Sequence, residues 1–153
     1  MLETGQAPLD VPLPEELPTV DNEFVRSSPF ISCLELKDAK NGFGRRGPGA
    51  TWFRLHVPIV EGKENSPLMR AAATADFCNG VSAELGRDWT FLNGDLTVNF
   101  VRMPVGEWIL LKAETWVGET GAGLSAGKLA DRRGYFGRVS QSLVIERGAS
   151  PFP

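Results

Sequence analysis

The stretch from Ser66 to Leu85 limits the possible folds more than any other part of the chain. Its sequence is SPLMRAAATADFCNGVSAEL, in which Ser66 can cap a helix and Pro67 suits the first helical turn. Apolar residues then fall on nearly every side of this helix instead of forming one stripe. Because such a helix is usually enclosed by the rest of its domain, the sequence predicts one long, buried central helix.

A single charge, Asp76, stands between Arg70 and Glu84 in this stretch. Burying an unpaired carboxylate costs several kcal/mol or raises the pKa of the group. We therefore expect Asp76 to have a role that requires a carboxylate at this position.

Composition places the chain among ordinary globular proteins. It has 153 residues, 42% of them hydrophobic and 23% charged, with a net charge of -3, which suits one domain with a real core. The sequence contains no basic block typical of nucleic-acid binding and no apolar run long enough to span a membrane. Two cysteines without metal-ligand spacing, and no secretory signal at the N-terminus, predict free thiols in the cytoplasm and no metal site.

The first 29 residues differ in kind from the rest, with five prolines and six acidic residues. Prolines at this density disfavour helices and strand ladders, so residues 1–29 are predicted to form an extended or disordered linker, or a tail that packs across the domain. A single domain is expected over residues 30–148, and residues 149–153 read as a short tail.

Strand-like runs flank the predicted helix on both sides. They cover residues 30–38, 50–58, 90–102, 107–117, 123–131 and 135–147. The last four are separated by short turns, most of them with glycine, which is typical of antiparallel hairpins. The sequence therefore predicts an α+β fold, in which an antiparallel sheet wraps around the central helix.

Two amide side chains interrupt this strand pattern. Gln141 lies between Val139 and Leu143 on the more apolar face of the last strand, and a buried amide needs polar partners. Asn93 lies near the start of the strand that follows the helix, just before Gly94, which can mark a bulge or a close backbone approach. A wrapped sheet would bring both amides to Asp76. The carboxylate could then activate a water that the amides orient, or the three could form a purely structural polar network.

For the other residues with reactive or charged side chains, a structural role is favoured over a functional one. His56, the one histidine, is expected to be exposed or at an interface, and Cys78 is expected to be a buried, inert thiol. Arg45 and Arg46 lie in a glycine-rich loop, where they could hold a phosphate or remain solvated. No sequence motif indicates a nucleotide loop.

Three runs in chain order carry a family resemblance: ADFCNGVSAEL, WTFLNGDLTVNFVRMPVGEWILLKAETWVG and GLSAGKLADRRGYFGRVSQSLVIER. Together they resemble the acyl-CoA thioesterases of hotdog fold, above all the C-terminal hotdog of the double-hotdog, thioesterase II-like branch. The resemblance spans residues 30 to 147. It implies hydrolysis of an acyl-CoA thioester without a cofactor.

The resemblance also implies roles for individual residues. Asp76 matches the aspartate of the hotdog helix that activates water, and Gln141 matches the glutamine of the last strand. Asn93 stands where the best-known members have threonine, and it too can donate a hydrogen bond. Candidates for contact with substrate, and in the case of the arginines with CoA phosphates, are Arg45, Arg46, Gly80, Arg132 and Arg133.

Members of this branch usually carry two hotdogs in one chain, and the resemblance here covers one. The chain is therefore expected to be either a single-hotdog protein or the C-terminal portion of a longer one. In both cases the resemblance implies a homodimer or higher homo-oligomer that supplies the second half. Two other functions remain open: a non-catalytic acyl-CoA-binding or assembly module, and hydratase or dehydratase chemistry. The last is the least favoured, because His56 does not lie on the predicted helix.

Overall fold

A computed structural model of the chain describes residues 9–86 and 88–148. Its strands are β1 (Leu34–Lys40), β2 (Gly49–Leu55), β3 (Trp89–Asn93), β4 (Thr97–Phe100), β5 (Ile109–Val117), β6 (Ala122–Asp131) and β7 (Gly134–Arg147). Its α-helices are α1 (Glu23–Ser27), α2 (Pro67–Ala75) and α3 (Cys78–Val81), and short 3₁₀ helices cover Pro14–Glu16 and Ile31–Cys33. None of these helices is long and apolar enough to cross a membrane.

All seven strands form one antiparallel sheet in the order β1-β2-β5-β6-β7-β3, and β4 also pairs with β7. The predicted α+β architecture is confirmed. The predicted strand over residues 90–102 is instead two strands, because the register against β7 shifts between Asn93 and Thr97. At the shift the Gly94 N–H donates to the Ser142 carbonyl at 2.8 Å, and Asp95 accepts the Ser142 N–H at 2.7 Å. Gly94 therefore marks a bulge, as the sequence indicated.

The helical segment begins where the sequence predicts and ends early. The Ser66 hydroxyl accepts the Met69 N–H at 3.1 Å, and Pro67 occupies the first turn. The prediction of one helix as far as residue 85 is wrong. The Phe77 N–H bonds to the Thr74 carbonyl at 3.1 Å, three residues back instead of four, so α2 ends and α3 follows as a separate short helix.

The inner face of the sheet packs against α2 and α3. Its core contains large side chains from the sheet and small side chains from the helices, namely Leu36, Phe53, Ile109, Leu111, Leu129, Phe136, Ala71, Ala75, Cys78 and Val81. The expectation that α2 is buried on all sides is also wrong, because Leu68 is 51% exposed. One face of α2 packs on the sheet and the other lies open.

Residues 9–17, which we call the N-terminal strap, lie across the outer face of the sheet. Three strap side chains, Leu9, Val11 and Leu17, pack against a second apolar cluster that includes Trp52, Trp108 and Leu110. The Trp52 indole N–H donates to the Pro12 carbonyl at 2.9 Å, and the Lys37 ammonium group donates to the Pro14 carbonyl at 2.9 Å. From residue 9 onward the proline-rich segment thus packs on the domain. Residues 1–8 and the predicted tail at 149–153 lie outside the described residues, and the division at residue 29 stays a prediction.

A buried ion pair holds the β6–β7 turn to the segment that follows β4. Arg102 donates to both carboxylate oxygens of Asp131 at 2.5 and 2.8 Å, and the backbone N–H groups of Val105 and Arg133 donate to the same carboxylate at 2.8 Å. The Asp131 side chain is 0% exposed. Burial by itself would raise the pKa of Asp131, but these hydrogen bonds and the Arg102 charge leave that pKa below its usual value.

We expect the Asp131→Asn variant to lose about 3 kcal/mol of unfolding free energy at neutral pH, because Arg102 would lose its ionised partner. A lowered folded-state pKa stabilises the fold above the unfolded pKa of about 3.9, and this contribution disappears as the pH falls through the folded value. Urea unfolding between about pH 6 and about pH 3 should therefore show, for the variant, a shallower decline of unfolding free energy with falling pH.

The control for this prediction is Asp21→Asn, because Asp21 also pairs with an arginine but its side chain is 71% exposed. Its unfolding free energy should change little, since exposed ion pairs contribute little. If the two variants lost the same stability, the contribution assigned to the buried pair would be wrong.

Candidate active site

Asp76, Asn93 and Gln141 come together at one end of α2. The Asp76 Oδ1 atom lies 3.2 Å from the Asn93 amide nitrogen and 3.4 Å from the Gln141 amide nitrogen. Both amides also approach the Asp76 backbone carbonyl, at 3.4 and 3.2 Å respectively. The structure therefore brings the three residues into contact, while their chemical roles remain a prediction.

The position of each residue in its helix or strand explains how its side chain reaches the site. Asp76 is the C-cap of α2, so its side chain leaves the helix at the surface. Gln141 points to the inner face of the sheet, two residues from Leu143, which is the direct partner of Asn93. Residues offset by two on paired strands are diagonal neighbours, and both amides can therefore reach one carboxylate.

The exposure of the three side chains is uneven. Gln141 is 0% exposed, whereas Asp76 and Asn93 are exposed. The expectation of a buried carboxylate at Asp76 is therefore wrong in the single chain, because the helix ends at the surface and turns this side chain outward. The site has a closed wall on the Gln141 side and is open on the Asp76 side.

Two amides on one oxygen fix the direction of the carboxylate. They leave Asp76 Oδ2 without a hydrogen-bond partner among residues 9–86 and 88–148. The Gln141 Oε1 atom is buried and likewise has no partner in this part of the chain. An oriented carboxylate with a free oxygen can accept a proton from water.

A buried hydroxyl network lies behind Gln141. Thr115 Oγ1 is 2.7 Å from Ser82 Oγ and 3.0 Å from Ser125 Oγ, and the Ser82 hydroxyl donates to the Cys78 carbonyl at 2.9 Å. Ser125 is the direct partner of Gln141 in the β6–β7 pair. The network connects α3 to the strand beside Gln141. Sequence reasoning missed it, although Thr115 and Ser125 are polar residues at apolar-face positions.

The family model of the acyl-CoA thioesterase C-terminal domain matches residues 9–145. The chain belongs to this family. The match covers most of the chain, including the N-terminal strap and all three residues of the site. The resemblance predicted from the sequence is thus confirmed.

Solved structures show the same fold. The chain is similar to a conserved hot dog fold protein of unknown function from Alicyclobacillus acidocaldarius, with 14% identity and a TM-score of 0.71 over 97% of this chain and 58% of that one. It is also similar to an acyl-CoA thioesterase II, TesB2, from Mycobacterium marinum, with 18% identity and a TM-score of 0.63 over 95% and 59% of the two chains. A tesB protein of Mycobacterium avium subspecies paratuberculosis gives 15% identity, a TM-score of 0.63 and coverages of 95% and 56%.

The chain therefore spans slightly more than half the length of these three structures. At such low identity the likeness establishes the hotdog fold and nothing finer. A search among curated proteins finds no significant match to the sequence.

The glycine-rich loop of this thioesterase-family domain packs on α3. Its Gly44 N–H donates to the Gly80 carbonyl at 2.9 Å, and a Cβ atom on Gly80 would lie 2.7 Å from the Phe43 ring. Gly80 therefore makes room for the loop. Arg45 is exposed, and the Arg46 Nε–H donates to the Glu84 carbonyl at 2.8 Å. No described contact joins either arginine to Asp76.

The remaining predicted residues lie away from the site. Arg132 and Arg133 occupy the β6–β7 turn, eight or more residues from Gln141, or about 25 Å along an extended strand. Arg132 pairs with Glu15, which lies within the N-terminal strap's 3₁₀ helix. His56 is exposed beyond the end of β2. The structure brings none of these three residues to Asp76, and contact of Arg132 and Arg133 with a substrate stays a prediction.

Cys78 lies in α3 and is 0% exposed. Burial raises the pKa of its thiol to about 11, although a hydrogen bond with Ser125 opposes the shift. At neutral pH the group is a protonated, inaccessible thiol, which makes it a packing residue. In the described part of the chain, no three His, Cys, Asp or Glu side chains are arranged to hold a metal ion.

We expect one thiol of the folded protein to react quickly with a disulfide reagent at mildly alkaline pH. That thiol is Cys33, which is partly exposed, whereas Cys78 should react only as the protein unfolds. Kinetic thiol titration with and without denaturant measures this difference, with Cys33→Ser as the control that removes the fast phase. Two fast thiols in the native protein would contradict the assignment.

Proposed function

We propose that this domain hydrolyses an acyl-CoA thioester to a free acid and CoA, with Asp76 as the general base. The observation that carries the proposal is the pair of amide contacts, from Asn93 and Gln141, to one oxygen of the Asp76 carboxylate. Membership in the acyl-CoA thioesterase family supports the reaction class. The two unpaired cysteines support a cytoplasmic location.

In the proposed reaction a water held by Asp76 Oδ2 attacks the thioester carbonyl carbon, and its proton passes to the carboxylate. The tetrahedral intermediate then collapses, the carbon–sulfur bond breaks, and the CoA thiolate takes up the proton. Water is the one co-reactant, so the products are the acid and the free thiol. Asn93 and Gln141 act by holding the base in place through their amide N–H groups.

The open face of α2 is the surface that we assign to the non-reacting part of the substrate. Leu68, Ala72 and Asp76 follow one another at intervals of four residues, and all three are exposed. Residues with this spacing share one face of a helix. An apolar chain lying on Leu68 and Ala72 would therefore lead to the carboxylate.

We expect Asp76→Asn to lower kcat/KM for acyl-CoA hydrolysis by about 100-fold or more, because the general base is lost. Release of the CoA thiol from short-, medium- and long-chain acyl-CoAs measures the effect. Asn93→Thr should retain most activity, since threonine can also donate to Asp76. The control is Glu119→Gln, an exposed carboxylate in the β5–β6 turn. Equal turnover by wild type and Asp76→Asn would contradict the assignment of the base.

A second candidate function is a non-catalytic acyl-CoA-binding module. It is favoured by the exposure of Asp76 and Asn93 in the single chain, because an open site does not exclude bulk water. Saturable binding of acyl-CoA by a well-folded protein, with no thiol release at any chain length, would favour this function over hydrolysis.

We also propose that two copies of the chain associate along the edge of the sheet formed by β3 and β4. This edge is the one next to β7, and Asn93 lies on it. An unpaired strand edge is a template for further pairing, and a second hotdog there would cover the open side of the site. The proposed dimer would thus complete the active site.

Sedimentation velocity at micromolar concentration should therefore detect a dimer. Leu96→Asp, which places a charge at the bulge between β3 and β4, should shift the protein toward monomer and lower its activity. The matched control is Val60→Asp, because Val60 is 44% exposed against 38% for Leu96 but lies in the loop before α2. A wild-type protein that stays monomeric would overturn the proposed association.

A further inference from the structure

A row of cations crosses the outer face of the sheet, on the side opposite Asp76. Lys112 of β5 is the direct partner of Lys128 in β6, and Lys128 is the direct partner of Arg138 in β7. Lys40 of β1 extends the row, because Lys40 and Lys112 are both partners of Ala50 in β2. We call these four residues the basic ladder.

The positive charges of the basic ladder repel one another and so destabilise the sheet. Neighbouring strands lie about 4.8 Å apart, and like charges directly opposite each other are destabilising. Asp10 of the N-terminal strap pairs with Lys112, and Lys128 lies over the Tyr135 ring at 5.5 Å. Within residues 9–86 and 88–148, Lys40 and Arg138 have no ion pair. A cluster that breaks a local packing rule without full compensation is typical of a functional site.

A groove of about 480 Å³ runs along the basic ladder. The residues that line it also include Glu114, Asn99, Ala126 and Pro48. Glu114 is the one carboxylate in this lining, against the four positive charges of the basic ladder. The whole chain has a net charge of -3, so this groove is a positively charged region on a protein that is negatively charged overall. The volume falls within the range of small-molecule sites and exceeds what an inorganic anion would fill.

We propose that the basic ladder binds a phosphorylated small molecule of nucleotide size. Arg138 offers a planar fork to phosphate oxygens, and Lys112 and Lys128 supply point charges on the next two strands. The amide of Asn99, the direct partner of Arg138, lies in the same row and can donate to the ligand. The site is separate from Asp76, because side chains alternate along β7 and Gln141 points to the inner face.

Isothermal titration of the full chain with ATP, CoA and inorganic pyrophosphate tests the proposal. We expect ATP and CoA to bind, and Lys128→Gln and Arg138→Gln each to weaken both by about tenfold. The matched control is Lys63→Gln, an exposed lysine in the loop before α2. An equal loss of affinity for ATP and CoA in the two variants would support phosphate recognition shared by nucleotides, and a larger loss for CoA would support the CoA nucleotide as the source. Absence of binding by every probe, or unchanged binding in both variants, would overturn the proposal.

Thermal unfolding without any ligand gives a readout independent of binding and of hydrolysis. If Lys128 is retained for a ligand, Lys128→Gln should raise Tm by about 1–3 °C, because repulsion from Lys112 and Arg138 is removed. The rise in Tm on adding ATP should shrink in the same variant. A lower ligand-free Tm together with an undiminished response to ATP would show that Lys128 serves the fold and would contradict the proposal.

Discussion

The close packing of α3 against the start of β2 is the contact on which the arrangement of the site depends. A Cβ atom on Gly49 would lie 2.2 Å from the Val81 carbonyl oxygen, so no side chain fits between these elements. The Phe77 ring stacks on Phe53, with 5.2 Å between the centroids, and fixes the turn before α3. Because the chain must turn there, α2 ends and Asp76 leaves the helix at the surface.

The candidate site combines a rigid wall with an open side. Gln141 is held by the sheet and backed by the hydroxyls of Thr115 and Ser125, while Asp76 and Asn93 face solvent. A buried amide positions a partner precisely, since its neighbours leave it few alternative conformations. The open side, in turn, is where a substrate or a second hotdog would have to approach.

The outer face of the sheet is partly apolar and partly charged, whereas the inner face packs against the helices. The N-terminal strap covers its apolar part around Trp52 and Trp108 and reaches the charged part through Asp10. Beyond the strap, the strand register places Lys112, Lys128 and Arg138 side by side. One sheet thus presents a core for the helices on one face and a charged groove on the other.

Local chemistry in the sequence determined the start of α2 at Ser66, the bulge at Gly94 and the inward position of Gln141, because capping, backbone freedom and strand alternation depend on near neighbours. The family and its hotdog fold also followed from the sequence. Tertiary structure alone decided where α2 ends, that Asp76 is exposed, that the proline-rich segment packs on the sheet, and that four distant cations form one row. These features depend on contacts between residues far apart in the chain, which no local pattern records.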